Sequence, residues 1–282
     1  MKSKIVLDRK EGVMNNKTIG FIGAGKMASA IIKGLLSSKT FDNEHVMAAE
    51  VNDTTAQKAQ ENFKIKVFKD ADEVVQISNI VLIATKPFVV PELLENIKNK
   101  ITKEHLIISI AAGITFDKLE NALGKDKRIV RVMPNTPALV ECGMSAVCKN
   151  SSATDEDLEL VKTIFSKIGK VISCQEKDMD AVTGVSGSGP AFYYYIIDKI
   201  AKAGEKLGLD YRTALTLSAQ TALGAAKMIQ ETGNSPEELI TAVTTPGGTT
   251  AEGNKVLNES DIAEILFETV RKTAEKSALM SK

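Results

Sequence analysis

An α/β protein, with a Rossmann-like, doubly wound and mostly parallel sheet followed by an all-helical second domain, is what three features of this sequence predict. Short β-branched runs alternate with helical segments from Lys17 to about Gln175. The first run passes straight into a glycine-rich turn, Gly23-x-Gly25-x-x-Ala28. Strand-like runs then vanish, and residues 190–282 read as helices separated by Gly, Pro and Asp. A chain of 282 residues is about twice the ~150-residue norm for one domain, which agrees with a boundary near 175/176.

Residues 1–16 (MKSKIVLDRKEGVMNN) are polar and aperiodic. They are expected to form a leader outside the fold, with Met14 marking an alternative start. From Lys17 the order is strand (KTIGFIG), helix (Met27 to Leu36), strand (HVMAAE), helix (Thr54 to Phe63), strand (KIKVF). NIVLIAT (79–85), HLIISIA (105–111) and RIVRVMP (128–134) follow, and their near-continuous apolar character suits strands covered by helices on both faces. GMSAVCK and KVISC are read as shorter strands closing the sheet at one edge. Between them lies a helix marked by Leu158, Val161, Phe165 and Ile168.

Beyond Gln175, Pro190 can start one helix, Asp210 can cap a second, and Ser235-Pro236-Glu237-Glu238 places an N-cap before a first-turn proline. The stretch from Thr213 to Ile229 is apolar around much of its circumference, more than a thin helical layer covers alone. Residues 176–282 are therefore read as an all-helical dimerisation domain. The competing explanation is a helix buried at the centre of a monomeric bundle.

With 43% hydrophobic and 26% charged residues, collagen-like, disordered and low-complexity classes are excluded. Thirty-six basic residues cancel thirty-six acidic ones, which removes the global electrostatic case for nucleic acid or an anionic membrane as partner. Cys142, Cys148 and Cys174 form no C-x-x-C pair, so neither a disulfide framework nor a zinc site is indicated, no metal is expected, and a reducing cytoplasm fits. The longest apolar run, near Ile80 to Ala84, falls far short of the ~20 residues of a membrane span.

The glycine turn carries the first chemistry. Gly23 permits a tight turn, Gly25 leaves room for a pyrophosphate, and the small Ala28 lets helix and strand pack closely. Ala24, Lys26 and Met27 complete the loop, whose helix amino end supplies N–H donors and a positive dipole. Residues 17–175 are thus read as a dinucleotide-binding domain. Glu50 ends the second strand, where a carboxylate accepts bonds from ribose hydroxyls and repels a 2′-phosphate, so it leans towards NADH. Asn52, Thr54, Thr55 and Lys58 follow closely and keep NADPH open. Ala84-Thr85-Lys86-Pro87 and Ala111-Ala112-Gly113 follow later strands at their carboxyl ends, where open α/β sheets bind ligands, and the nicotinamide half is placed there. Lys86 reads equally as an exposed loop lysine. Asn135, between Pro134 and Pro137, can anchor loop backbone or a nicotinamide carboxamide.

The strings GFIGAGKMASAIIKG, IATKP, SIAAGIT, RVMPNTPALVECGMSAV, AVTGVSGSGPAF and PGGTTAEG, in this order and at these separations, resemble the pyrroline-5-carboxylate reductase family. The resemblance runs from about Lys17 to the carboxyl end, and MPNTPA with PGGTT is more specific than the glycine fingerprint. It implies hydride transfer from NADPH or NADH to the imine carbon of 1-pyrroline-5-carboxylate, giving L-proline as the last step of proline biosynthesis. It also implies a homodimer through the helical domain, a larger assembly in some members, and an active site between the nucleotide domain and the helical layer. By the same resemblance, Val243-Thr244-Thr245-Pro246-Gly247-Gly248-Thr249-Thr250 looks like the substrate loop. Its N–H groups and Thr245 would receive the carboxylate, and Thr250 would hydrogen-bond the ring nitrogen. Ser186, Ser188 and Gly189 of Ser186-Gly187-Ser188-Gly189-Pro190 would line the substrate pocket; the other reading is a flexible break between helices. Many NADPH-using members carry a basic residue just after the second strand, whereas here Val51 follows Glu50.

Apart from the resemblance, Pro-Gly-Gly-Thr-Thr entering a helix (Ala251 to Leu257) suits an anion cradle, although a structural turn has the same pattern. Reduction of a protonated imine asks mainly for proximity and exclusion of water. This agrees with the positions of His45 and His105 at strand entrances, away from the ligand crevice. Thr250 is assigned as an orienting donor. Two alternatives remain: a β-hydroxyacid dehydrogenase, for which Lys199, Lys202 or Lys206 would supply the catalytic lysine, and a nucleotide-sensing protein without turnover.

Overall fold

A computed structural model describes residues 17–281; the leader and its alternative start at Met14 lie outside the described residues. The chain divides into two compact units. One runs up to Gly187 and takes in the segment from Ala274 onward; the other is Ser188–Thr273. By contact the division falls at Gly187, later than the 175/176 read from the texture of the sequence. The reason is local, since the short helices after Gln175 pack with the sheet.

In the first unit the order is β1 (Ile19–Ile22), α1 (Lys26–Ser37), β2 (Val46–Ala49), α2 (Asp53–Phe63), β3 (Lys66–Phe68), α3 (Ala71–Gln76), β4 (Ile80–Ile83), α4 (Val90–Ile97), β5 (Leu106–Ser109), α5 (Phe116–Leu123) and β6 (Arg128–Met133). Then come β7 (Gly143–Lys149), α6 (Asp155–Phe165), β8 (Gly169–Ser173), α7 (Met179–Val182) and a π-helical turn at Thr183–Gly187. The eight strands lie in the order β3-β2-β1-β4-β5-β6-β7-β8. Every pairing is parallel except β6 with β7, which places Arg131 opposite Cys148. Strand order reverses between β1 and β4, which creates a crevice at their carboxyl ends.

Strand side chains alternate between two cores, as period-two geometry demands. Ile80 and Leu82 join Phe21, Ile31, Leu35, Val161 and Phe165 on one face, whereas Val81 and Ile83 join Val90, Leu94, Ile107 and Leu119 on the other. Burial on both faces explains the continuous apolar strands. β7 and β8 do close one edge, but β7, expected to be short, is at seven residues the longest strand. The connection over residues 134–142 returns the chain antiparallel along β6, and β7 is paired along its whole length, Ala146–Lys149 with β6 and Gly143–Val147 with β8.

The second unit contains α8 (Gly189–Lys206), α9 (Tyr211–Thr232), α10 (Pro236–Val243) and α11 (Thr249–Asn258); α12 (Ile262–Ser281) begins in it. Pro190 sits in the first turn of α8, and the Asp210 side chain accepts from Thr213 N–H at the start of α9. Ser235 and Glu238 make the reciprocal capping box of α10. Only Ala214 and Ser218 of α9 are buried, while Leu217, Leu223, Met228 and Ile229 remain exposed. That removes the monomer-core explanation and leaves a face for a second copy.

Candidate active site

The turn after β1 is shaped by contacts that exclude side chains. Gly23 has φ +98°, in the left-handed region, and a Cβ there would lie 3.0 Å from the Ala84 carbonyl oxygen. Gly25 is different. Nothing lies within 4 Å of its would-be Cβ, so the floor of the turn is open, and Gly25 is the N-cap of α1 with no side chain capping that helix. Amides at the start of α1 therefore face a ligand position with a favourable dipole for anions.

Glu50 bridges this turn to the next. Its Oε2 accepts from Ala24 N–H at 2.9 Å and its Oε1 from Asn52 N–H at 2.9 Å. Asn52 in turn caps α2, its Oδ1 accepting from Thr55 N–H at 3.0 Å. Gly23, Gly25, Glu50, Ala84, Thr85 and Lys86 come together around a cleft of about 850 Å³, which Thr55, Lys69, Asp70 and Asp72 also line. Among the described residues, two buried side-chain oxygens have no hydrogen-bond partner, Asp72 Oδ1 and Thr85 Oγ1, and both residues line this cleft. Unsatisfied buried acceptors are rare and mark places where a polar ligand completes the set. The cleft thus fits the adenosine diphosphate half of a dinucleotide, a group rich in hydroxyls and amino hydrogens.

Other expected cofactor residues are placed differently. Lys26 opens α1, Pro87 starts a short 3₁₀ turn, and Met27 packs on the core. Ala111 and Ala112 also pack on the core, and Gly113, at φ +72°, faces the backbone of Met280, 3.0 Å from its would-be Cβ. Lys118 Nζ donates to the carbonyls of both Gly113 and Met280, tying the end of α12 to this loop. Asn135 anchors backbone: it accepts from Met144 N–H at 2.9 Å and donates to Ser186 O at 3.2 Å, so its amide clamps the loop to the π-helical turn, with a second oxygen lone pair left over.

In the second unit the substrate-loop residues sit at a helix entry. Gly248 is the N-cap of α11 with no side-chain cap, and its own N–H turns back to Thr245 O at 2.9 Å. Thr249 and Thr250 occupy the first turn, because the helix begins two residues before the expected Ala251. Ala251 N–H already turns to Gly248 O at 3.1 Å, so Thr249 and Thr250 carry the amides at this entry that suit an anion. Thr244 is held from both sides, donating to Ile240 O at 2.6 Å and accepting from Asn254 Nδ2 at 3.0 Å. Val243 and Thr245 are exposed, Ser186 and Ser188 half-buried, and Gly189, the first residue of α8, is buried.

Several side chains that matter escaped the sequence. Asn254, Lys69, Asp72 and Lys118 sit in ordinary polar helical or strand-end contexts with no local signature. The buried Arg131 pairs with Glu176 at 2.5 Å and lies 5.8 Å from the Phe116 ring centre; Glu176 also accepts from Phe116 N–H. Two expected absences of chemistry have structural partners. His45 bonds Asp42 at 2.7 Å, and His105 accepts from Thr102 N–H while its other nitrogen meets Val75 O, both at the amino ends of their strands. Two of the three lysines that a hydroxyacid dehydrogenase would draw on are engaged, Lys202 with Asp198 at 2.8 Å and Lys199 over the Tyr195 ring, and Lys206 is exposed like them. Among the described residues no group of three or more His, Cys, Asp or Glu could hold a metal, and no helix is long and apolar enough to cross a membrane.

Comparison with known proteins joins the two units. Residues 18–113 match a family model described as NADP oxidoreductase, coenzyme F420-dependent, and residues 176–280 one described as pyrroline-5-carboxylate reductase dimerisation. Over 269 residues the chain is 42% identical to a pyrroline-5-carboxylate reductase of Methanosarcina acetivorans, covering 95% of this chain and 100% of that one. Among solved structures, a pyrroline-5-carboxylate reductase from Coxiella burnetii superposes with a TM-score of 0.90 at 33% identity, covering 95% of this chain and 100% of that one. A Plasmodium falciparum pyrroline carboxylate reductase with NADP bound gives 0.84 at 31%, covering 95% and 99%.

Proposed function

This chain belongs to the pyrroline-5-carboxylate reductase family, and from that premise we infer how its own residues serve the reaction. It reduces the imine bond of 1-pyrroline-5-carboxylate to give L-proline, the closing step of proline biosynthesis, using a nicotinamide dinucleotide, and it pairs as a homodimer through its helical domain. The observation that carries the residue assignment is the pair of uncapped, glycine-bounded helix entries, one at Gly25 and one at Gly248.

When bound, the reduced nicotinamide supplies the hydride to the imine carbon. The amides after Gly25 bind the diphosphate, and Glu50, braced by Ala24 and Asn52, offers its remaining lone pairs to the ribose hydroxyls. The first-turn amides of α11, with Thr245, hold the substrate carboxylate. The Thr250 hydroxyl hydrogen-bonds the ring nitrogen and orients it, donating to the neutral imine and accepting from its N–H once the nitrogen has taken a proton from solvent; an unperturbed alcohol is too weak an acid to deliver that proton outright. Holding both reactants in one geometry, sheltered from water, supplies most of what imine reduction needs.

The cleft leans towards NADH. Glu50, Asp70, Asp72 and Glu92 line it against Lys69 and Lys86, and Val51, at the position where a phosphate-binding cation is usual, is 83% exposed. Three free thiols, one exposed, one half-buried and one buried, suit a reducing cytoplasm. Initial rates with 1-pyrroline-5-carboxylate, varied against NADH and NADPH separately, test reaction and preference together. Proline formation with a lower KM for NADH is expected. Cofactor binding without pyrroline-dependent oxidation would return the nucleotide-sensing alternative.

A further inference from the structure

The sequence has no cation directly after β2, yet the fold brings one to that turn from another strand. Lys69 follows β3, lines the nucleotide cleft, and donates from Nζ to the Val51 carbonyl at 3.2 Å. Its ammonium group also pairs with Asp53, the first residue of α2. Val51 to Asp53 is the turn beyond the ribose-binding carboxylate, the place where a 2′-phosphate lies in dinucleotide folds of this kind.

Resting on the NADH-leaning reading above, we propose that the Asp53–Lys69 ion pair sets the choice between the two nucleotides: Lys69 is a 2′-phosphate ligand that Asp53 keeps neutralised. Both partners are largely solvent-exposed, Asp53 at 92% and Lys69 at 59% of the side chain, so the pair is weak and readily exchanged. A dianionic phosphate brought to the Val51 carbonyl edge meets the same ammonium group. It competes with Asp53 for it and is repelled by Asp53, Glu50, Asp70 and Asp72. Removing the Asp53 charge relieves the competition and one repulsion together, whereas the unphosphorylated ribose of NAD meets neither.

The test is titration calorimetry of the whole purified enzyme with NADP⁺ and NAD⁺, read as the ratio of the two affinities. Asp53→Asn raises the NADP⁺ to NAD⁺ ratio by about two- to five-fold at low salt, the range an exposed ion pair commands, and the gain shrinks as salt screens it. Lys69→Met lowers the ratio, Lys69→Arg restores it, and in the Lys69→Met background the gain from Asp53→Asn falls to half or less. An unchanged ratio in Asp53→Asn, or an equal gain without Lys69, overturns the proposal. A wild-type enzyme that already binds NADP⁺ more tightly overturns only the NADH-leaning reading, because the pair is judged by the change in ratio.

Discussion

The Ala24 amide donates to the Glu50 carboxylate at 2.9 Å, joining residues 26 apart in the chain. The sheet register makes this possible, because Ile22 of β1 lies beside Ala49 of β2 and the two strand ends emerge together. One side chain thereby braces the diphosphate turn and the entry to α2. It does so with charge-assisted bonds, which are stronger than those between neutral groups.

Glu50→Ala is expected to weaken NAD⁺ binding by about ten-fold, the lower end of what loss of hydrogen bonds to a charged group costs at a half-exposed site, and NADP⁺ binding by less, because a repulsion of the 2′-phosphate is lost with it. Titration with NAD⁺ and NADP⁺ measures it. Unchanged affinity for both would mean that the turn holds its shape without the brace.

Thr250→Val preserves branching and removes the hydroxyl, whereas Thr250→Ser keeps the hydroxyl. We expect kcat/KM for 1-pyrroline-5-carboxylate to drop about ten-fold in the first and much less in the second, the magnitude of one lost hydrogen bond in the productive complex. Steady-state kinetics at saturating cofactor decide. Equal rates in Val and wild type would remove Thr250 from the site.

Arg131 and Glu176 test the foundation of the sheet. The Arg131 side chain is 7% exposed, so Glu176→Gln strands a buried guanidinium and is expected to cost about 3 kcal/mol of unfolding free energy. Replacing both partners, as Arg131→Met with Glu176→Gln, costs less than Glu176→Gln alone, since no unpaired charge is left. Urea denaturation of the single and double variants provides the cycle.

Burial pushes the Cys148 thiol up from 9.0 to about 12. Between those values the unfolded chain has lost the proton that the folded chain keeps, so folded-state stability falls as pH rises from about 9 towards 12 and is unaffected by this group below 9. The slope contributed is at most about 1.4 kcal/mol per pH unit. Denaturation midpoints of wild type and Cys148→Ala at pH 8 and pH 10.5 should converge as pH rises; parallel behaviour would contradict it.

Periodicity carried much of the architecture, and the reason is visible in particular residues. Ile80 to Ile83 read as a strand buried on both faces because all four are in fact enclosed, alternate ones in alternate cores. Asp210, Ser235 and Gly25 were legible because caps and glycine turns act through the nearest backbone. Lys69 and Asn254 were not, since each acts on a residue ten or more positions away that nothing nearby announces. Asn135 shows the intermediate case: its loop was recognised, whereas its bond to Ser186, 51 residues on, was not.

Taken alone, the sequence determined the strand and helix order, the two glycine-bounded helix entries and the family likeness, all properties of short contiguous strings whose hydrogen bonds close locally. Only the tertiary structure decided that Glu50 braces Ala24, that Lys69 reaches the turn after β2, and that Gly113 lies under Met280. Those contacts join elements from different parts of the chain, and strand register with helix packing, not local propensity, sets which distant atoms meet.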